Sequence, residues 1–398
     1  MNSLGDIKNK RVLLLQGPMG FFFKRLDFAL RKQGAKTFRI GLNAGDRFFS
    51  ALDNYTPFRG KVDEWPNFIE DFLKKNSIDL VFLFGDCRYY QSIAIEKAKS
   101  LGGVKVFVFE EGYVRPHYIT MEPWGVNDHS SLPRDPNFYS SLDNIKVKPP
   151  KHAGQSKFQL VLSATIYYLI ANIFSFRYPN YMHHRDMSAV NEAFFGIRGA
   201  FRKIIYPFLY ERGMEKMLKG RLCKRYFFVP LQTHNDFQIL AHSDFKSVEK
   251  FIIFVLESFA KDAPKDIFLL FKHHPVDRGR RDYRSFIFEQ AEILGVKSRI
   301  IVLYDTHLPT CIKYAKGTVT VNSTVGFTSL SYGVPTITLG RAVYDMKGLT
   351  NYGVELKEFW HNQLPPSIEL FNKFRSYVIS NTQLNGSFYG MFPEELKS

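Results

Sequence analysis

Three short runs of the sequence carry side chains that could do chemistry together. Residues 110–112 read EEG, a pair of carboxylates before a glycine. Residues 272–275 read KHHP, and residues 322–324 read NST, an amide followed by two hydroxyls. A carboxylate can act as a nucleophile or as an acid/base catalyst, whereas cationic groups and hydroxyls can neutralise a phosphate. In this order the three runs suit glycosyl transfer from a nucleotide sugar.

Each run alone also has an ordinary structural explanation. A Glu after a strand is usually a solvated loop residue, and His-Pro often marks a strand end because proline cannot continue a ladder. Asn322, Ser323 and Thr324 can each cap a helix. Taken alone, the run 317–345 is best explained as a strand-helix-strand unit with a Ser/Thr cap, in which Phe327–Tyr332 is the predicted helix and Gly333 the predicted C-cap.

The elements that must position these runs are apolar strands with helices between them. Such a pattern predicts parallel sheets, with ligands at the carboxyl ends of the strands. The predicted strands are Arg11–Gln16, Lys36–Leu42, Asp79–Phe84 and Val104–Phe109, then Arg225–Leu231, Asp266–Lys272, Ile300–Leu303, Thr318–Val321 and Thr336–Leu339.

The fold class predicted from these strands is α/β, with two Rossmann-like domains in a GT-B arrangement and a cleft between them. The expected boundaries are a first Rossmann-like domain at 1–145, a helical apolar and basic insert at 146–219, a second Rossmann-like domain at 220–360 and a helical C-terminal segment at 361–398 that packs back on the first domain; the resemblance described below implies that the first domain binds the acceptor and the second the CMP-sugar. Residues from about 120 to 155 are predicted to be loop, because they are rich in Pro, Asn, Asp and Ser.

The composition of the chain limits which classes of partner are expected. The 398 residues carry a formal charge of +16, so an acidic partner is expected. No zinc-finger spacing or aromatic RNA-binding motif supports nucleic acid. Cys87, Cys223 and Cys311 are too few and too scattered for a disulfide framework, which favours a cytoplasmic protein. The first residues show no signal-peptide plan.

The run Phe158–Phe176 has no charged residue and is near the minimum length of a membrane span. Its polar residues argue against a simple span, and basic residues flank it at Lys151, Lys157, Arg177, His183, His184 and Arg185. Two interpretations stay open: a helix in a membrane interface, or a helix buried between domains.

Seven segments carry a family resemblance: QGPMGFFFKRL, NAGDRFF, EEGYVRP, PLQTHNDFQI, HHPVDRG, VNSTVGFTSLSYGVPTITLG and AVYDMKGLT. Together they resemble the capsule polysaccharide biosynthesis family, in its KpsS-type branch. The resemblance runs from Gln16 to about Trp360, apart from the apolar insert.

The resemblance implies a retaining transferase that moves β-Kdo from CMP-Kdo to phosphatidylglycerol or its lyso form. It places the protein at the cytoplasmic face of the inner membrane, with an anionic phospholipid acceptor. Implied partners are a KpsC-type transferase, which extends the linker, and a capsule export complex. No cofactor and no metal are expected.

The resemblance also suggests roles for single residues. Related transferases read Glu-Asp-Gly at the acidic run and use the Asp as nucleophile, which here is Glu111. Glu110 is then an acid/base partner or a supporting group, and His274 a further catalytic residue. The donor is expected to contact Lys272, His273, Pro275, Asn322, Ser323, Thr324 and Gln232. The acceptor is expected near Gln16, Gly17, Asn43, Asp46, Arg115 and His117.

Two other functions fit the same motifs. A transferase that uses CMP-sialic acid shares the acidic-Gly, His-Pro and Ser/Thr features. A non-catalytic component of a capsule assembly or export complex would not need the Glu111 carboxylate.

Overall fold

A computed structural model describes residues 6–50, 53–154, 156–182, 189–234 and 243–397. The chain divides into two compact units. The first comprises residues 1–132, 145–189 and 376–398, and the second comprises 133–144 and 190–375. The basic residues predicted at 183–185 and the end of the PLQTHNDFQI segment lie outside the described residues.

The described residues form twelve strands, seven in the sheet of the first unit and five in the sheet of the second. They are β1 Arg11–Leu14, β2 Lys36–Gly41, β3 Tyr55–Pro57, β4 Leu80–Phe84, β5 Lys105–Glu111, β6 Tyr118–Pro123, β7 Tyr226–Pro230, β8 Phe268–Lys272, β9 Ile300–Leu303, β10 Gly317–Thr320, β11 Thr336–Thr338 and β12 Gln383–Asn385.

Fourteen α-helices of the described residues connect them. They are α1 Phe22–Lys32, α2 Ala44–Phe48, α3 Trp65–Lys75, α4 Tyr89–Leu101, α5 Pro136–Ser140, α6 Lys157–Ile173, α7 Ala189–Tyr210, α8 Met214–Lys219, α9 Val248–Asp262, α10 Arg284–Ile293, α11 Leu308–Lys313, α12 Thr324–Ser331, α13 Leu356–Phe359 and α14 Ile368–Thr382.

The first unit has a seven-stranded sheet in the order β12-β6-β5-β4-β1-β2-β3. β1 to β5 are parallel, and β6 pairs antiparallel with both β5 and β12. Apolar side chains cover both faces: Val106 and Val108 of β5 lie in one core, and Phe109 lies in the other. The C-terminal strand β12 thus extends the sheet of the first unit.

The second unit has a five-stranded, fully parallel sheet in the order β11-β10-β7-β8-β9. Phe227 and Val229 face a core that includes α9, while Tyr226 and Phe228 face the opposite core. The predicted α/β class with two Rossmann-like units is therefore confirmed.

Three local predictions are corrected. The strand expected to end at Phe109 continues through Glu111, because Glu110 and Glu111 pair with Thr120 and Ile119 of β6. The expected loop at 120–155 contains the rest of β6 and helix α5. The helix expected to begin at Phe327 begins at Thr324, because the Ser323 hydroxyl accepts a hydrogen bond from the Val325 amide.

The apolar run 158–176 forms helix α6 followed by a short 3-10 turn at Ser175–Arg177. Tyr167 and Ala171 are buried on one side of the helix, whereas Phe158, Leu169 and Ile173 are exposed. A search of the described residues found no helix with the length and apolar character that a membrane span requires.

Candidate functional site

The two carboxylates of the EEG run occupy the last positions of β5, beside the end of the parallel strand β4. Successive side chains of a strand point to opposite faces. Glu110 therefore lies on the face of Val108 and Glu111 on the face of Phe109. Gly112 is required by the backbone, because a Cβ there would lie 2.1 Å from the Tyr118 carbonyl oxygen.

Glu110 has a pKa raised to about 7, chiefly because burial disfavours its charged form. The amide of Glu111 donates to Glu110 Oε1 at 3.0 Å and the Arg88 cation favours ionisation, so both oppose the shift. A carboxyl group that titrates near neutral pH can take up and release a proton during a reaction. Glu110 is thus suited to acid/base work.

Glu111 also has a raised pKa because of burial, and the Arg115 cation lowers it in part. The Arg115 Nε atom donates to the Gly112 carbonyl at 3.2 Å, which holds the guanidinium close to this turn. His117 lies further along: its Nδ1 atom accepts from the Ala153 amide at 3.4 Å. Arg115 is therefore grouped with Glu111, whereas His117 contacts the 151–154 segment.

A polar cluster that the sequence did not predict lies near Glu110. Asp86 Oδ2 accepts from the Val126 amide and pairs with His129 Nδ1, both at 3.0 Å. Buried Glu122 has a pKa raised to about 7 by burial, and the hydroxyl of Tyr113 donates to it at 2.6 Å. Asp86 could have been predicted from the sequence as a site residue, because Gly85-Asp86 directly follows a predicted strand. Glu122 could not, because it lies in the run that was predicted to be loop.

One group of the described residues could hold a metal ion by distance alone. The ligand atoms of Asp86, Cys87 and His129 lie within 4.8 Å of one another. Burial raises the pKa of the Cys87 thiol, and its Sγ donates to Asp86 Oδ1 at 3.2 Å. A protonated thiol is a poor metal ligand, so this group fits a metal poorly.

Three predicted acceptor residues belong to a buried hydrogen-bond network. Asp46 Oδ1 accepts from the Tyr167 hydroxyl at 3.0 Å, and Gln16 Nε2 donates to Asp46 Oδ2 at 3.1 Å. Asn43 Nδ2 donates to the same tyrosine hydroxyl at 2.6 Å. Because Tyr167 is on α6, these groups fasten the apolar helix to the carboxyl edge of the sheet.

Two glycines of this edge are needed for packing. A Cβ at Gly17, another predicted acceptor residue, would lie 2.5 Å from the Phe23 ring. A Cβ at Gly45 would lie 2.7 Å from the Tyr167 ring, so a larger residue would push α6 away from α2. Both positions therefore have a structural requirement for glycine.

In the second unit, the first two residues of the KHHP run are buried. Lys272 Nζ donates to the Tyr304 carbonyl, and burial lowers the pKa of this lysine. The His273 ring stacks between Tyr304 and Tyr283, with centroid distances of 4.6 and 5.6 Å. Burial lowers the pKa of His273 to about 4, so this imidazole is neutral near pH 7.

The remaining residues predicted to contact the donor lie at the carboxyl ends of β7, β8 and β10. His274 Nδ1 accepts from the Val276 amide at 3.2 Å and caps the 3-10 turn that begins at Pro275. Gln232 Nε2 donates to Asn322 Oδ1 at 3.1 Å, which links the loops after β7 and β10. These side chains thus meet at one edge of the sheet.

Helix α12 starts at this edge. Ser323 is its N-cap and Thr324 its first residue. A Cβ at Gly326 would lie 2.1 Å from the Tyr344 hydroxyl, so glycine allows the loop at 344 to close on the helix. The amides and hydroxyls at such an N-terminus favour a phosphate.

A histidine that was absent from the predicted site also belongs to this edge. His234 Nδ1 lies 2.7 Å from Asp277 Oδ1, and its amide donates to Asp277 Oδ2 at 2.7 Å. Next to it, Arg278 Nε donates to Asp305 Oδ2 at 2.9 Å. The histidine was visible in the QTHND run, but its carboxylate partner is 43 residues away.

Residues 79–389 match the profile of the family described as capsule polysaccharide biosynthesis protein. The chain belongs to this family. It is 37% identical to the capsule polysaccharide export protein KpsS of Escherichia coli, over 96% of this chain and 98% of that protein.

A second relative is the capsule polysaccharide modification protein LipB of Neisseria meningitidis serogroup B. It is 36% identical over 98% of this chain and 94% of that protein. Among solved structures, KpsC of Thermosulfurimonas dismutans, titled a β-Kdo 2,7 transferase, matches with 14% identity and a TM-score of 0.44, over 93% of this chain and 89% of that one. The predicted family is therefore confirmed.

Proposed function

We propose that this protein is a retaining glycosyltransferase that moves Kdo from CMP-Kdo to phosphatidylglycerol or lysophosphatidylglycerol. The observation that carries the proposal is the pair of half-buried carboxylates at the end of β5, one of which has a pKa of about 7. Membership of the capsule family supports the proposed product, the start of a Kdo linker for capsular polysaccharide.

The proposed reaction has two steps. The Glu111 carboxylate attacks the anomeric carbon of Kdo, and the bond to CMP breaks with its electron pair on the phosphate oxygen. The acceptor hydroxyl then attacks the same carbon, the bond to Glu111 breaks, and the carboxylate is restored. Glu110 takes the proton of that hydroxyl. The side chains of Glu110 and Glu111 lie on opposite faces of β5. In this proposal the substrate therefore lies across the end of the strand, where it contacts both carboxylates.

The second unit is proposed to bind the donor. His274, Asn322, Ser323 and Thr324 offer hydrogen-bond donors and the helix dipole to the CMP phosphate. Buried Lys272 and His273 support the loop that presents His274. The proposed reaction needs no metal ion, because hydrogen-bond donors of the protein itself stabilise the leaving phosphate.

Because the proposed acceptor is a phospholipid, we propose that the protein lies at the cytoplasmic face of the inner membrane. Other capsule assembly and export proteins are proposed to lie there with it. A charge of +16 favours an anionic surface. Helix α6 supplies an exposed apolar side that includes Phe158 and Ile173, while buried Tyr167 holds its other side. Peripheral contact through α6 is thus part of the proposal.

Incubation with CMP-Kdo and a fluorescent lysophosphatidylglycerol, followed by mass measurement of the lipid, tests this function. We expect a product heavier by one Kdo, and no product with CMP-sialic acid. Transfer from CMP-sialic acid alone would identify the other donor class. Absence of transfer from both donors by a folded protein that still assembles with capsule proteins would favour a non-catalytic role.

A further inference from the structure

A second exposed apolar surface runs along helix α7, away from the run whose composition suggested membrane contact. Phe194, Ile197, Phe201, Ile204 and Phe208 follow one another at steps of three and four residues, which places them on one side of a helix. Their side chains are between 55% and 75% exposed. We call these five residues the α7 stripe.

The opposite side of α7 is fixed to the second unit by polar contacts. Arg198 Nε donates to the Gly279 carbonyl at 2.6 Å, and Arg202 donates to the Arg278 carbonyl at 2.9 Å. The Tyr206 hydroxyl donates to Asp282 Oδ2 at 2.8 Å. These contacts fix the other side of α7 to the second unit, so the stripe faces outward.

The charge of the segment from Lys203 to Arg221 indicates which partner fits the stripe. Lys203 on α7 and Arg212, Lys216, Lys219 and Arg221 after it in the chain are exposed. Within this segment the exposed acidic residue is Glu215, which pairs with Lys219 at 3.5 Å. A strip of large apolar side chains that is followed in the chain by an exposed segment of net positive charge complements the acyl and headgroup layers of an anionic membrane.

We propose that α7 is a membrane-docking helix whose stripe enters the interface of an anionic lipid bilayer, while the cations that follow it contact the headgroups. This inference deepens the membrane position in the proposed function and rests on it. It assigns a second contact, built on the unit that carries the donor-site loops and separate from α6.

Flotation of the full-length protein with vesicles tests the assignment. We expect the protein to float with phosphatidylcholine vesicles that contain phosphatidylglycerol, more weakly with pure phosphatidylcholine, and less at high salt. The variant Phe201→Asp/Ile204→Asp should lower the partition coefficient at least about tenfold, because two large side chains lose their apolar contact. Phe28→Asp, which changes an equally exposed residue of α1, should float like the wild type.

Several results would overturn the α7 assignment. They are unchanged flotation of a double variant that keeps the wild-type melting temperature, including the case in which only the α6 variant Phe158→Asp/Ile173→Asp loses flotation, and wild-type flotation that is equally strong without phosphatidylglycerol. A wild-type dimer that the double variant converts to a monomer, with flotation unchanged, would assign the stripe to a second copy.

A separate activity measurement distinguishes this inference from the proposed function. Transfer to a short-chain lysophosphatidylglycerol dissolved in detergent needs no bilayer. The double variant should keep that transfer while losing flotation. Loss of transfer in the wild type, with flotation still dependent on the stripe, would reject the glycosyltransferase and leave the docking helix in place.

Discussion

Replacing Glu110 by Gln should remove the proton-transfer step that we propose for this carboxyl group. Burial raises the pKa of this carboxyl from 4.5 to about 7. At roughly 1.4 kcal/mol per pKa unit, ionising it inside the protein costs about 3 kcal/mol more than in water. Gln keeps the oxygen that accepts from the Glu111 amide, so the local backbone should persist.

The expected effect on activity follows because the ionised form of Glu110 is the base that takes the proton of the acceptor hydroxyl. The wild-type rate should be low at pH 6, where the group is mostly protonated, and should rise through a midpoint near pH 7 to a plateau. Glu110→Gln should lose this rise and retain roughly 10⁻² to 10⁻⁴ of the plateau rate. The assay is CMP release at saturating donor and acceptor between pH 5.5 and 8.5.

Arg88 provides a matched test of the same pKa. Its cation lowers the pKa of Glu110, so Arg88→Ala should move the midpoint of the pH profile upward, while Arg88→Lys should restore it. A buried Glu122 with a similar pKa is the competing explanation. A profile that survives in Glu110→Gln and vanishes in Glu122→Gln would refute the assignment.

The stability of the protein should respond with a defined sign. A raised pKa in the folded state means that the folded protein binds more protons, so stability is lost as pH rises from 4.5 through about 7. Glu110→Gln removes that loss. Its unfolding midpoint should exceed the wild-type value at pH 8 and match it at pH 4.5, whereas an equal shift at both values would point to packing alone.

Three further substitutions test the two edges of the sheets. His274→Ala should weaken CMP binding at least about tenfold in calorimetry, since one donor to the phosphate is lost; unchanged affinity would remove His274 from the donor site. Tyr167→Phe should destabilise the protein by about 1–3 kcal/mol, because buried Asp46 loses a donor, and an unchanged melting temperature would argue against a tightly held α6. Gly326→Ala should disturb the α12 start by contact with Tyr344, which chymotryptic cleavage after Phe327 should detect; a wild-type cleavage pattern would contradict this.

Nine of the twelve strands of the described residues were predictable, because short runs rich in apolar and β-branched residues between turn residues are distinctive. β9 occupies the predicted residues, and the other predicted strands differ by a few residues at their ends. β6 was missed because Thr120 and Glu122 are buried polar residues, and local polarity indicates a loop. Only the neighbouring strands β5 and β12 provide the pairing that stabilises this segment.

The site was partly predictable for the same reason. Motifs at strand ends placed Glu110, His274 and Ser323 at sheet edges, because the topology of parallel strands requires it. The burial of His273 and the network around Asp46 depend on Tyr283, Tyr304 and Tyr167, which lie far away in sequence. No local pattern contains such contacts.

The central claim is that Glu111 becomes covalently attached to the sugar during transfer. Intact-protein mass spectrometry after mixing with CMP-Kdo and no acceptor tests it most directly. We expect a mass increase of one Kdo that peptide sequencing maps to Glu111. The increase should be absent in Glu111→Gln, which should still bind CMP. An adduct on any other residue, or full transfer activity in Glu111→Gln, would contradict it.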